Sequence, residues 1–184
     1  MKASYGPRRA APILVLACLV AGGSAEAAED GALGATSSGS VRISVSVAPR
    51  ARISGLQDID FGPADPGTGA RRAQNVCVWT NSPAGSYTLT AAGSGPGGAF
   101  ELVGSGQTVS YSVEWAASAG QSSGFPLSGG GTSQANLQTA ATDADCAAGS
   151  GSASLVVAVA PAQLAAAEPG TAYTGALTLI VSPQ

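Results

Sequence analysis

The sequence predicts an all-β protein, an antiparallel β-sandwich forming one domain. Six or seven short runs either alternate apolar with polar residues or hold a brief apolar stretch, which is the pattern of strands with a buried face. Gly, Ser and Pro clusters punctuate these runs and supply turns. No segment past the N-terminal region keeps a helical period for more than about two turns, so packed sheets are the remaining way to build a core.

Residues 1–27 read as an export signal rather than as part of the fold. Lys2, Arg8 and Arg9 make a basic start, residues 10–21 are apolar but short for a membrane span, and Ala25-Glu26-Ala27 suits cleavage before Ala28, with cleavage after Ala25 the near alternative. Cys18 closes Val15-Leu16-Ala17-Cys18, a loose lipoprotein box, but the apolar run continues through Leu19-Val20-Ala21, which argues against lipidation. Residues 28–40 form a lead of small residues expected to be flexible, and 41–184 make up the single domain.

The first expected strand is Val41-Arg42-Ile43-Ser44-Val45-Ser46-Val47, in which Val41, Ile43, Val45 and Val47 share one face. Next, Leu56, Ile59 and Phe61 in the run 56–62 are candidate core residues. Residues 75–81, carrying Trp79, lead through Ser82-Pro83-Ala84-Gly85 to 86–91, carrying Tyr87, and read as a hairpin. A short run at 100–103 follows. Residues 109–115 alternate again, with Val109, Tyr111, Val113 and Trp115 on one face. Residues 116–133 are too rich in Gly and Ser to hold a strand for long. Leu155 and Val157 belong to a buried strand at 154–160, and 161–168 fits one or two helical turns ended by Pro169-Gly170. Tyr173, Leu177, Leu179 and Val181 mark a last strand at 173–181, with three residues beyond it.

Charge and chemistry narrow the function. The chain has a formal net charge of -3 and no histidine. After residue 27 its cations are Arg42, Arg50, Arg52, Arg71 and Arg72, too few and too scattered for nucleic acid or an anionic membrane. Without histidine there is neither the commonest general base nor a Ser-His-Asp triad, and no Cys/His zinc spacing. The glycine clusters at 93–98 and 129–131 lack a phosphate-binding lysine and read as loops. Asp58 with Asp60, and Asp143 with Asp145, are paired loop acids of the kind usually just solvated. The aromatic residues suit core packing better than a sugar-stacking platform. No enzyme, cofactor, metal or small-molecule substrate is expected. Two cysteines follow the signal, Cys77 and Cys146, and in an exported protein an even pair implies one disulfide. Closing a loop of that length stabilises by roughly 4 kcal/mol in the chain-entropy model.

The ending Ala166-Ala167-Glu168-Pro169-Gly170-Thr171-Ala172-Tyr173-Thr174-Gly175-Ala176-Leu177-Thr178-Leu179-Ile180-Val181-Ser182-Pro183 resembles the C-terminal signature of the spore coat protein U domain family. Ile59-Asp60-Phe61-Gly62, Cys77-Val78-Trp79-Thr80-Asn81, Tyr87-Thr88-Leu89-Thr90-Ala91, Tyr111-Ser112-Val113-Glu114-Trp115 and Cys146 agree in order and spacing, so the likeness runs over residues 41–183. It implies a subunit of archaic chaperone–usher pili, exported through the periplasm to the cell surface. Its fold would be an incomplete immunoglobulin-like sandwich lacking its final edge strand, the gap exposing a hydrophobic groove formed by the core of the same chain, with Phe61, Leu179 and Val181 among the candidate core or groove residues. The partners implied are other pilin subunits that donate a strand, a periplasmic chaperone and an outer-membrane usher. Some members carry a cysteine just after the first strand, where this chain has Pro49-Arg50-Ala51-Arg52, so their disulfide topology does not transfer.

In that setting residues 41–47 become a donor strand. Burying four such side chains is worth about 6–12 kcal/mol before the cost of association, at about 1.5–3 kcal/mol each. The alternatives are a stand-alone secreted β-sandwich that binds glycans or surfaces, with residues 41–47 completing its own sheet, and a coat protein.

Overall fold

The computed structural model describes residues 28–131, 133–146 and 151–184. The expected signal and Cys18 lie outside them. The chain divides into a unit that ends at Ser46 and a second unit, Val47–Gln184.

In the first unit, Glu29 and Ser40 exchange both backbone hydrogen bonds, at 3.0 and 2.9 Å. Residues 29–40 of the lead thereby close into a loop. Residues 41–47 are in no strand.

The second unit is an all-β antiparallel sandwich. Its strands are β1 (Ala51–Ser54), β2 (Ala70–Thr80), β3 (Ser86–Gly93), β4 (Glu101–Gly104), β5 (Gln107–Ser110), β6 (Ser112–Ala116), β7 (Phe125–Pro126), β8 (Ser133–Gln138), β9 (Ala153–Val159) and β10 (Leu177–Pro183). A short helix, α1 (Pro161–Ala166), joins β9 to the segment before β10, and Pro161 at its start uses the position where a missing N–H costs least. One sheet has the order β1-β2-β9-β6-β7, the second β10-β3-β8, and β4-β5 is a separate hairpin.

Alternation decides which side chains meet between the sheets. Val76 and Val78 of β2, Val113 and Trp115 of β6, and Leu155, Val157 and Val159 of β9 face Tyr87 and Leu89 of β3 and Leu137 of β8 in one buried cluster. The Trp115 indole N–H donates to the Tyr87 hydroxyl at 3.0 Å, a buried bond that ties β6 to β3. β9 is buried on both faces. The outer face is covered by the loop that precedes β7, where Ser154 donates to the Ser118 carbonyl and accepts the Gln121 N–H.

Several sequence expectations need correction. The runs 75–81 and 86–91 are strands but not a hairpin: β2 pairs with β1 and β9, whereas β3 pairs with β10 and β8. The turn at Pro83–Gly85 carries the chain from one sheet to the other. Trp79 alternates with the buried Val78 and Thr80, so it lies on the opposite face of β2, half-buried and outside the core. Residues 109–115 are two strands rather than one. The chain breaks at Tyr111, whose N–H goes to Phe100 O, so that β5 pairs with β4 and β6 with β9. The run 56–62 forms no strand. Ile59 and Phe61 still pack against the core, while Leu56 is 46% exposed. β8 falls just past the Gly/Ser-rich stretch, in residues the sequence assigned to no element, and the two-residue β7 lies within that stretch. The last strand begins at Leu177 rather than at 173, and Thr174 makes an isolated bridge to Val103.

Candidate functional site

The functionally suggestive geometry lies along β10. This strand is the end member of its sheet, paired with β3 on one side only. Gln184 N–H donates to Ser86 O, and the register runs Pro183↔Tyr87, Ser182↔Thr88 and onward. Because hydrogen-bonded pairs alternate along an antiparallel ladder, Thr178, Ile180 and Ser182 bond to β3, while Leu177, Leu179 and Val181 turn their backbone groups to the open edge. Pro183 falls on that same open side, where its lack of an N–H removes no ladder bond.

The inward side chains of β10 are incompletely covered. Leu177, Leu179 and Val181 pack on the core but are only part-buried, unlike Tyr87 and Leu89 of the neighbouring β3, which are completely buried. Beside them runs a groove of about 350 Å³. Leu177 and Leu179 form one wall, residues 56–61 the other, and Tyr111, Leu155 and Val157 contribute to its lining. An extended chain laid here would meet apolar side chains on one side and unpaired strand backbone along β10.

The far wall is built without a ladder. Past Ser54, Gly55 takes φ +77°, a left-handed conformation suited to glycine, and the chain leaves β2. Gln74 then holds it from the side. The Gln74 amide oxygen accepts the Gln57 N–H at 2.8 Å and its amide nitrogen donates to Gln57 O at 3.0 Å, so one side chain stands in for a strand neighbour. Asp60 accepts the Gly62 N–H at 2.8 Å, turning the chain at the end of this wall. At the other end, Tyr111 stacks on Phe100 with ring centroids 5.5 Å apart and donates to Ala176 O at 3.3 Å. Burial pushes the Tyr111 hydroxyl up from its ordinary pKa, and burial does the same to Tyr87 against the lowering effect of the Trp115 bond. Both phenols stay neutral, Tyr111 donating to Ala176 O and Tyr87 accepting from Trp115.

Apart from Trp79 on the outer face of β2 and the two cysteines, the sequence-predicted residues fall into three places. Phe61, Tyr111, Leu155, Val157, Leu177 and Leu179 come together at the groove. Tyr87 and Trp115 lie in the core, with Val181 and Tyr173 packed against it; Tyr173 also accepts the Glu168 N–H and donates to Gln107. Val41, Ile43, Val45 and Val47 are 72%, 89%, 92% and 82% exposed, apolar side chains held in solvent. Sequence reasoning missed Gln74, which stands in no alternating apolar run, and left Leu102 in the short run 100–103 without marking it for the groove.

Cys77 and Cys146 are joined by a disulfide. It fastens β2 to the loop after β8, and the Arg52–Asp145 ion pair at 2.6 Å lies in the same loop. On the outer face, Arg71 of β2 reaches Glu114 of β6 with two hydrogen bonds, at 3.2 and 2.9 Å, and also donates to Ser122 O. The Arg71 guanidinium and the Gly124 N–H hold the Glu114 carboxyl below its ordinary range. Among the described residues there is no group of three or more His, Cys, Asp or Glu placed to hold a metal ion.

No family model and no curated protein matches the chain. Among solved structures, it is similar to a chain from a chaperone–tip adhesin complex described as vital for synergistic activation of CFA/I fimbriae biogenesis, with a TM-score of 0.45 and 17% identity. The alignment covers 74% of this chain and 41% of that one, so the chain spans less than half of that neighbour's length.

Proposed function

We propose that the protein is a structural subunit of a secreted surface pilus, a non-catalytic part whose sandwich is completed by residues 41–47 of another copy. The observation that carries this reading is the pairing of a need with its complement in one chain. β10 has an open edge above a part-covered apolar groove, and residues 41–47 expose four alternating apolar side chains and are in no strand among the described residues. Strand addition satisfies both at once, because it pairs the backbone of Leu177, Leu179 and Val181 and buries Val41, Ile43, Val45 and Val47. The resemblance of residues 41–183 to the spore coat protein U domain family supports the same reading. It adds a periplasmic chaperone that covers the groove before assembly and an outer-membrane usher that mediates the exchange.

The reading predicts that Ile43→Asp with Val45→Asp, made in the full chain, leaves a folded subunit that accepts a wild-type donor but donates to none. Mixed into wild-type protein, the variant should shorten the multimers seen by size-exclusion chromatography and electron microscopy. Multimers of unchanged length built from the variant alone would refute the assignment. A wild-type protein that stays a soluble monomer with residues 41–47 folded onto its own sheet would favour the stand-alone binding module.

A further inference from the structure

Donation of residues 41–47, the reading on which this inference rests, leaves a problem that apolar alternation does not solve. A one-residue slip turns the Val and Ile side chains outward and is blocked. A two-residue slip, a shift of about 7 Å, keeps the same face inward and still buries three of Val41, Ile43, Val45 and Val47. Laid in the reverse direction, the run Val-Ser-Val-Ser-Ile-Arg-Val keeps the same alternation. Backbone pairing to β10 is equally indifferent, since every second residue offers the same groups. Register and direction need an asymmetric contact.

Each side of the contact carries one charge. Residues 41–47 contain a single charged residue, Arg42, near one end of the run and on the polar face; it is engaged in its own copy, and donation would exchange that contact for a new one. Among the described residues that line the groove, Asp58 is the single charged one, set in the wall of residues 56–61. Asp58 is exposed and makes no hydrogen bond or ion pair among the described residues. Asp60, two residues on, is instead turned back on the Gly62 N–H.

We propose that Arg42 of one copy pairs with Asp58 in the groove of the next, fixing the direction and register of the donated strand and marking a second copy of this chain as the preferred donor. A two-residue slip replaces Arg42 opposite Asp58 by Ser44 or by Ser40, and reversal carries the arginine to the far end of the groove. Both lose the ion pair and leave the apolar contacts nearly intact.

The test uses the full chain as acceptor, in its unassembled form, and labelled peptides of residues 40–48, read by fluorescence anisotropy. The wild-type peptide binds, and the Arg42→Glu peptide binds about three- to tenfold more weakly, the scale of an exposed ion pair replaced by like charges. A peptide with Arg42→Ser and Ser44→Arg, which moves the charge by one two-residue step, is also weakened. Acceptor carrying Asp58→Arg reverses the order of the wild-type and Arg42→Glu peptides, and acceptor carrying Asp58→Asn binds the two alike. The differences shrink in 1 M salt, where the screening length is about 3 Å. Equal binding of wild-type and Arg42→Glu peptides to unaltered acceptor overturns the pairing and leaves strand donation standing. Failure of every peptide to bind, including the wild-type one, overturns strand donation and the pairing with it.

Discussion

The Tyr87–Trp115 bond shows how a single buried contact joins the sheets. The Trp115 indole is completely buried, and its one N–H has the Tyr87 hydroxyl as partner. Tyr87→Phe keeps the ring and strands the donor, so it should cost about 1–3 kcal/mol, seen as a lower urea midpoint with an unchanged slope. Glu114 makes a pH-dependent contribution. Its folded carboxyl is held below the ordinary 4.5 by Arg71 and Gly124. The stability it adds is therefore present above its unfolded value and is lost as pH falls through its folded value. Thermal melts should drop as pH is lowered past that range, and Glu114→Gln should flatten this part of the profile. An unaltered profile in the variant would assign the acid sensitivity to other carboxylates.

Among the elements, the strands that show most plainly in the sequence are those with alternation and a buried face: β3, β6, β9 and most of β10. Their partners were not legible in the same way. The turn at Pro83–Gly85 looks like a hairpin turn locally, but both β2 and β3 bury a face, and burying them against each other across the sandwich leaves each free to pair within its own sheet. β8, Ser133–Gln138, escaped notice because Leu137 is its one buried side chain, so no alternation marks it. The candidate site divides in the same manner. The apolar members of the groove were legible as core residues, and the donor run as an amphipathic strand. The wall at 56–61 was not, since its position depends on Gln74, a side chain borrowed from β2 to satisfy backbone groups. Gln74→Ala should therefore speed hydrogen exchange at the Gln57 amide while leaving the β2 and β9 ladder amides protected. Slowed peptide binding at unchanged global stability would accompany it. The disulfide acts on another element pair, and replacing Cys77 and Cys146 together by alanine should cost about 2–5 kcal/mol, read from denaturant melts.

At the scale of the whole molecule, the sandwich leaves a part-covered apolar groove beside its end strand β10. The inward side chains of β10 are only part-buried and its backbone is open on one side, while residues 41–47 form an apolar run of matching period that is in no strand among the described residues. In the proposed assembly, a donated strand covers this groove and also hides an edge that would otherwise recruit strands indiscriminately. In the proposed contact, the single charge on each partner adds selectivity to an affinity that is apolar and main-chain.

The most direct test is backbone hydrogen exchange, compared between dilute unassembled protein and assembled multimers. In the unassembled protein, residues 41–47 and the amides of Leu177, Leu179 and Val181 should exchange freely, and on assembly both sets should become protected together. Protection of both sets in the dilute monomer would mean that the chain completes its own sheet. Multimers in which residues 41–47 remain unprotected would contradict the account outright.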